Sequence, residues 1–115
     1  MKPRILFIIE SDPRVSHRPV EAMRIAAGVG VWGKIEMQVY LGGPAVLMLS
    51  GRQEELVNGE DLGNYLTMME QAGTGLYVQA GNVLPGNAAE GCPDQEMSDV
   101  QLAGLAAECN TVVHF

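Results

Sequence analysis

Lysine and arginine are absent from residue 53 to the end of the chain. All seven basic residues fall in the first 52: Lys2, Arg4, Arg14, Arg18, Arg24, Lys34 and Arg52. That segment has four acids (Glu10, Asp12, Glu21 and Glu36), the remainder has ten, and the net charge is −7. Such a surface repels phosphate backbones and anionic lipid over most of its area, which argues against nucleic acid and membrane surfaces as partners. The asymmetry itself has two readings. A basic face of one subunit could meet an acidic face of another, or a fold that interleaves the two segments could erase the difference.

Long hydrophobic runs are also missing. Nothing approaches the ~18 apolar residues of a membrane-spanning helix. Ile5–Ile9 follows Lys2 and Arg4, but Glu10 ends it short of the ~7–15-residue apolar core of a signal peptide. A first core strand explains it better, and a cytoplasmic location is expected. Cysteine is scarce: Cys92 and Cys109 form neither a C-x-x-C pair nor a metal-ligand spacing, so the chain is no disulfide scaffold. A Cys92–Cys109 bridge stays open on sequence alone, and a reducing compartment disfavours it. His17 and His114 show no ligand spacing with each other or with a cysteine, so no metal is expected. No Ser-His-Asp set or carboxylate pair stands out, and no cofactor is implied. The seven methionines read as core filler.

What is present is enough for one domain, residues 1–115, with a real core. Arg4–Glu10 is nearly continuous apolar sequence, the signature of a strand buried on both faces of a parallel sheet. Ser11-Asp12-Pro13 breaks it, and Pro19 suits the first turn of a helix over about Pro19–Val31. That helix is apolar on two sides, so it should be covered twice, by the sheet and by another subunit. Gly28, Gly30 and Gly33 weaken its end and allow close packing. Ile35–Leu41 alternates, which predicts a half-buried strand with one exposed or interfacial face. Pro44 opens a short apolar helix through Leu49. Asn58 and Asp61 resemble a capping pair for a helix with the stripe Leu62, Tyr65, Leu66 and Met69, stopped at Gly73. Leu76–Ala80 is a strand, 81–97 reads as irregular, and such a long loop is often functional. Ser98 and Gln101 form a capping box. Leu102, Leu105 and Ala106 then face inward, and Thr111–Phe115 is a last strand. The pattern is α/β: a doubly wound, mainly parallel sheet of four to five strands with helices on both faces.

Candidate chemistry gathers at the carboxyl ends of the strands, where open α/β sheets bind ligands. The loop after the first strand holds Asp12, Arg14, Ser16, His17 and Arg18. Its two arginines and histidine could hold a small anion beside a helix start, or the loop could be solvated with its arginines paired to acids. Gly42 and Gly43 precede Pro44 without the spacing of a P-loop, and a tight strand-to-helix turn is the plainer reading. Gln79 and Asn82 could offer uncharged polar contacts or simply form a turn. Cys92 could be a displaced sulfur-accepting thiol that meets a basic loop in space, but Glu90, Asp94 and Glu96 disfavour its thiolate, and an incidental loop cysteine is the plainer reading. Cys109 reads as a small buried apolar residue.

Three pieces carry a resemblance: the Ser11-Asp12-Pro13 break, the turn Gly42-Gly43-Pro44-Ala45-Val46, and the strand entry Gly73–Val78. With the order of elements, they make the chain similar to the DsrE/DsrF-like family of small sulfur-relay and related proteins. The resemblance implies a flavodoxin-like sandwich assembled as a trimer or hexamer. In sulfur-transferring members a cysteine stands where the later strand ends; here Gln79, Ala80 and Gly81 stand there. The expectation is a sulfur-relay type protein that binds a small anionic or sulfur-containing ligand without the family's cysteine transfer. If transfer occurs, Cys92 performs it. The alternative is a non-catalytic oligomeric or partner-binding subunit with Pro19–Val31 at its interface. A third reading is an enzyme using Asp12 and His17 in acid–base work.

Overall fold

The computed structural model describes residues 2–49, 55–81 and 96–115. Asn82, Cys92 and Arg52 lie outside the described residues. Five strands and three helices follow in the order β1 (Arg4–Ile9), α1 (Arg18–Trp32), β2 (Glu36–Leu41), α2 (Leu62–Ala72), β3 (Gly75–Gln79), β4 (Glu96–Met97), α3 (Asp99–Glu108) and β5 (Thr111–His114). 3₁₀ turns at Gly43–Leu49 and Gly59–Asp61 lie between β2 and α2. The strands form one sheet in the order β4-β3-β2-β1-β5, and every pairing is parallel.

This order dictates where the helices go. From β1 to β4 the chain steps one strand at a time in one direction, then returns across the whole sheet to β5. With right-handed crossovers, the outward steps place α1 and α2 on one face and the return step places α3 on the other. The core divides accordingly. Phe7, Ile9, Met37, Val39, Leu41 and Val78 pack with α1 and α2. Leu6, Ile8 and Tyr40 pack with Leu102, Leu105, Ala106 and Val112 on the α3 side.

Three sequence expectations need correcting. β2 is not half exposed: Gln38 and Tyr40 are 8% and 2% exposed, because the return crossover lays α3 on the side of Tyr40 and Gln38 lies against Gly75 of β3. Beside the sheet, α2 of the same chain packs against α1. Gly30 allows that approach, since a Cβ there would lie 2.7 Å from Thr74 Oγ1. Asn58 and Asp61 do not cap α2. Asn58 takes a left-handed conformation (φ 58°), and neither side chain makes a capping hydrogen bond. The stretch 81–97 is not irregular to its end, because Glu96–Met97 pairs with β3.

Elsewhere the local signals hold. Pro19 lies in the first turn of α1, and Gly73 ends α2 in a left-handed cap (φ 75°). Ser98 and Gln101 form the reciprocal capping box of α3, at 2.8 and 3.2 Å.

Candidate functional site

Parallel strands end together, so the loops after β1, β2, β3 and β4 share one edge of the sheet. At that edge the backbone is tied strand to strand. The Gly42 N–H donates to Ile9 O at 2.9 Å, Glu10 N–H to Phe115 O at 3.1 Å, and Ala80 N–H to Met97 O at 2.9 Å. The Gly43 N–H donates to Gln79 Oε1 at 3.0 Å, which joins the turn after β2 to the end of β3. Gly43 adopts φ 53°, a conformation that favours glycine. Gly43, Gln79, Ala80 and Gly81 line an open depression of about 380 Å³.

Gly42 is required for space rather than for its dihedral. A Cβ there would lie 3.1 Å from Tyr40 Cε1 and 3.3 Å from Glu10 Cγ. Glu10 therefore stands beside the glycine turn, and Tyr40 lies buried beneath it. Burial, with Asp99 and Glu10 adding to it, pushes the Tyr40 phenol above its ordinary value. The α3 side of the edge is thus a region of negative potential around a protonated hydroxyl. Sequence reasoning missed Glu10 and Tyr40. Glu10 was visible as the charge that ends an apolar strand, and Tyr40 as the last polar position of β2.

The structure brings Gly42, Gly43 and Gln79 together. Asp12, Arg14 and His17 lie in a separate loop after β1, Arg18 opens α1 just beyond it, and Asn82 and Cys92 lie outside the described residues. Asp12 takes both a 3.1 Å bond from Arg14 Nε and a 2.8 Å bond from Arg14 Nη2, and its Oδ1 also accepts the Arg14 N–H at 2.9 Å. These hydrogen bonds hold the Asp12 carboxyl below its usual range. They also neutralise Arg14, which weakens it as an anion ligand. The Arg18 N–H turns back to Ser16 Oγ at 3.2 Å, and His17 is exposed at the start of α1 without a side-chain cap. Pro13 anchors the loop by accepting the Val57 N–H at 2.8 Å.

Cys109 lies at the opposite end of the sheet, between α3 and β5, where the Asn110 N–H donates to Arg4 O at 2.9 Å. Burial pushes its thiol up; Arg4 opposes this, and Glu108 and Glu36 reinforce it. A half-buried thiol with that bias is a poor nucleophile and is remote from the depression.

No protein-family model matches this chain, and no curated protein matches it in sequence. A solved structure does match. The crystal structure of the YchN protein from E. coli aligns with a TM-score of 0.71 over 100% of both chains, at 15% sequence identity. The likeness is one of fold, from the first strand to the last.

Proposed function

We propose that this chain is a DsrE/DsrF-like protein of the sulfur-relay type. It binds a small anionic or sulfur-containing ligand at the ends of β2 and β3, without cysteine transfer. The observation that carries this is the depression lined by Gly43, Gln79, Ala80 and Gly81, across which the Gly43 N–H donates to Gln79 Oε1. The full-length likeness of fold to YchN supports the placement. Gln79, Ala80 and Gly81 occupy the strand end where the resemblance puts a cysteine. They supply amide and backbone groups, which bind a ligand but do not carry sulfur covalently. Glu10 beside Gly42 disfavours a polyanion, so the ligand is compact and carries little charge.

The test is thermal unfolding with thiosulfate, sulfite or hydrosulfide, against sodium chloride at equal ionic strength. A ligand that binds only the folded state stabilises it by mass action, by about 2.7 kcal/mol at a concentration a hundredfold above its dissociation constant, and so raises the midpoint. The shift should vanish in Gln79→Leu and survive in Arg14→Ala and Cys92→Ser. No shift with any of the three anions would sink the ligand reading. A shift lost in Cys92→Ser would restore the thiol carrier.

The second reading, a non-catalytic oligomeric or partner-binding subunit, is favoured by a different observation. Val31, Trp32 and Val100 are large apolar side chains left more than half exposed on α1 and α3.

A further inference from the structure

Each crossover helix runs back against the strands, so α1 and α2 end where β2 and β3 begin. A cavity of about 280 Å³ lies at that amino end of the sheet, away from the depression at the carboxyl edge. Lys2 lines it ahead of β1, Gly30 from the last turn of α1, Glu36 from the start of β2, and Ala72, Gly73 and Thr74 from the link between α2 and β3. Both helices finish in a left-handed glycine, Gly33 and Gly73, each with φ 75°. Neither last turn holds a basic side chain. The final carbonyls of a helix lack partners within it and give its end a negative partial charge, which favours a cation. Two such ends border this one cavity.

Three side chains give the cavity its polarity. The Glu36 carboxylate is already held by Arg4 Nε at 2.8 Å. Lys2 is exposed and enters none of the ion pairs among the described residues. The Thr74 hydroxyl is buried and has no hydrogen-bond partner among the described residues. It lies over Gly30, where a Cβ would come within 2.7 Å of its Oγ1. A buried hydroxyl left unmatched costs free energy, and in a native fold it commonly answers to a water or a ligand. The cavity thus offers one cation, one unmatched hydroxyl and two electronegative helix ends.

We propose that this cavity binds a small zwitterion of the amino-acid type. The ligand's carboxylate pairs with Lys2. Its ammonium group donates to Thr74 Oγ1 and to the carbonyls that end α2. Neither half suffices alone, because a bare anion meets two negative helix ends and a bare cation meets Lys2. Ile35 and Met37 also line the cavity and give a short ligand side chain an apolar wall. A few convergent polar groups on a partly apolar concavity are the usual make-up of a small-molecule site. This site stands apart from the ligand proposed at the ends of β2 and β3, since the two cavities share no residue.

L-Alanine, propionate and ethylamine present the two charges together and one at a time. Their binding should be followed by backbone amide chemical shifts and by calorimetry, at pH 7 and equal ionic strength. Alanine should shift the amides of Gly30, Gly73 and Thr74 and leave those of Gly43 and Gln79 in place. Propionate and ethylamine should each bind about tenfold more weakly, the worth of one charged hydrogen bond. Lys2→Met should weaken alanine by a similar factor. Thr74→Val keeps the side chain's bulk and removes the hydroxyl, so it should weaken alanine while holding the parent's unfolding midpoint. Gln79→Leu, at the other edge of the sheet, should bind alanine as the parent does. Unmoved amides at Gly30 and Thr74 under excess alanine overturn the proposal. So does propionate or ethylamine binding as tightly as alanine, which would make this a site for a single charge. An affinity for alanine unchanged in Lys2→Met or in Thr74→Val, or lost in Gln79→Leu, overturns it as well.

Discussion

Gln79 ties the carboxyl edge together, because its Oε1 is the acceptor for the Gly43 N–H. Gln79→Leu keeps the bulk and removes that acceptor, and an unmatched donor in a partly buried place costs about 1 kcal/mol. Urea unfolding should show that loss, and exchange at the Gly43 amide should quicken; unchanged exchange would mean that another group replaces Gln79. Gln38 should behave in the opposite way. Its Oε1 is buried without a partner among the described residues, and its Nε2 reaches Glu36 only at 3.4 Å. Gln38→Leu should therefore be neutral or stabilising by up to about 1 kcal/mol in the same assay. Cys109 is held protonated by burial, so native alkylation should be slow at neutral pH and quicken only above the free-thiol value of about 8.5. The sign for stability follows. A proton held more tightly in the fold keeps its full contribution below that value and loses it as pH rises through the folded pKa. Fast alkylation at pH 7 would contradict the burial.

At the scale of the element, what the sequence made legible was local, and what it hid was non-local. The strand run of β1, the proline start of α1, the glycine stop of α2 and the Ser98–Gln101 box all act within a few residues, and all four appear. The alternation of β2 misled because the cover over Tyr40 comes from α3, about sixty positions along the chain. The site divides in the same way. Gly42, Gly43 and Gln79 were legible as strand-end residues, whereas Glu10 and Tyr40 become neighbours only once parallel register sets β1 beside β2. The Asp12–Arg18 loop read equally as an anion site or as a loop whose arginines pair with acids; Arg14 is paired, with Asp12 two residues away rather than with the later half of the chain. α3 offers the clearest element-level test. It has no wholly buried residue, so its capping box matters more than packing alone would suggest. Ser98→Ala should cost about 1 kcal/mol, with the excess hydrogen exchange confined to the first turn of α3. A uniform increase over all three helices would instead show that α3 folds only with the whole.

At the scale of the molecule, two electrostatic effects of salt oppose each other. Among the described residues, the ion pairs Arg4–Glu36, Arg4–Glu108, Arg14–Asp12 and Arg24–Glu21 are weakened by added salt. Their side chains are mostly solvent-exposed, and such pairs contribute about 0–1 kcal/mol each. Repulsion acts against the fold: ten of the fourteen acids lie from residue 53 onward, where no lysine or arginine offsets them. Compaction brings these acids closer together, and salt screens that repulsion over a Debye length of about 8 Å at 0.15 M. Because the pairs are exposed and the acids lack local counter-charges, repulsion should dominate. The urea midpoint at pH 7 should therefore rise as sodium chloride increases from low concentration to physiological strength. The measurement is made at high dilution, so that contacts between copies do not enter the signal. A midpoint that falls over the same range would mean the four pairs outweigh the repulsion, and would locate the stabilising charge in the first 52 residues and their partners.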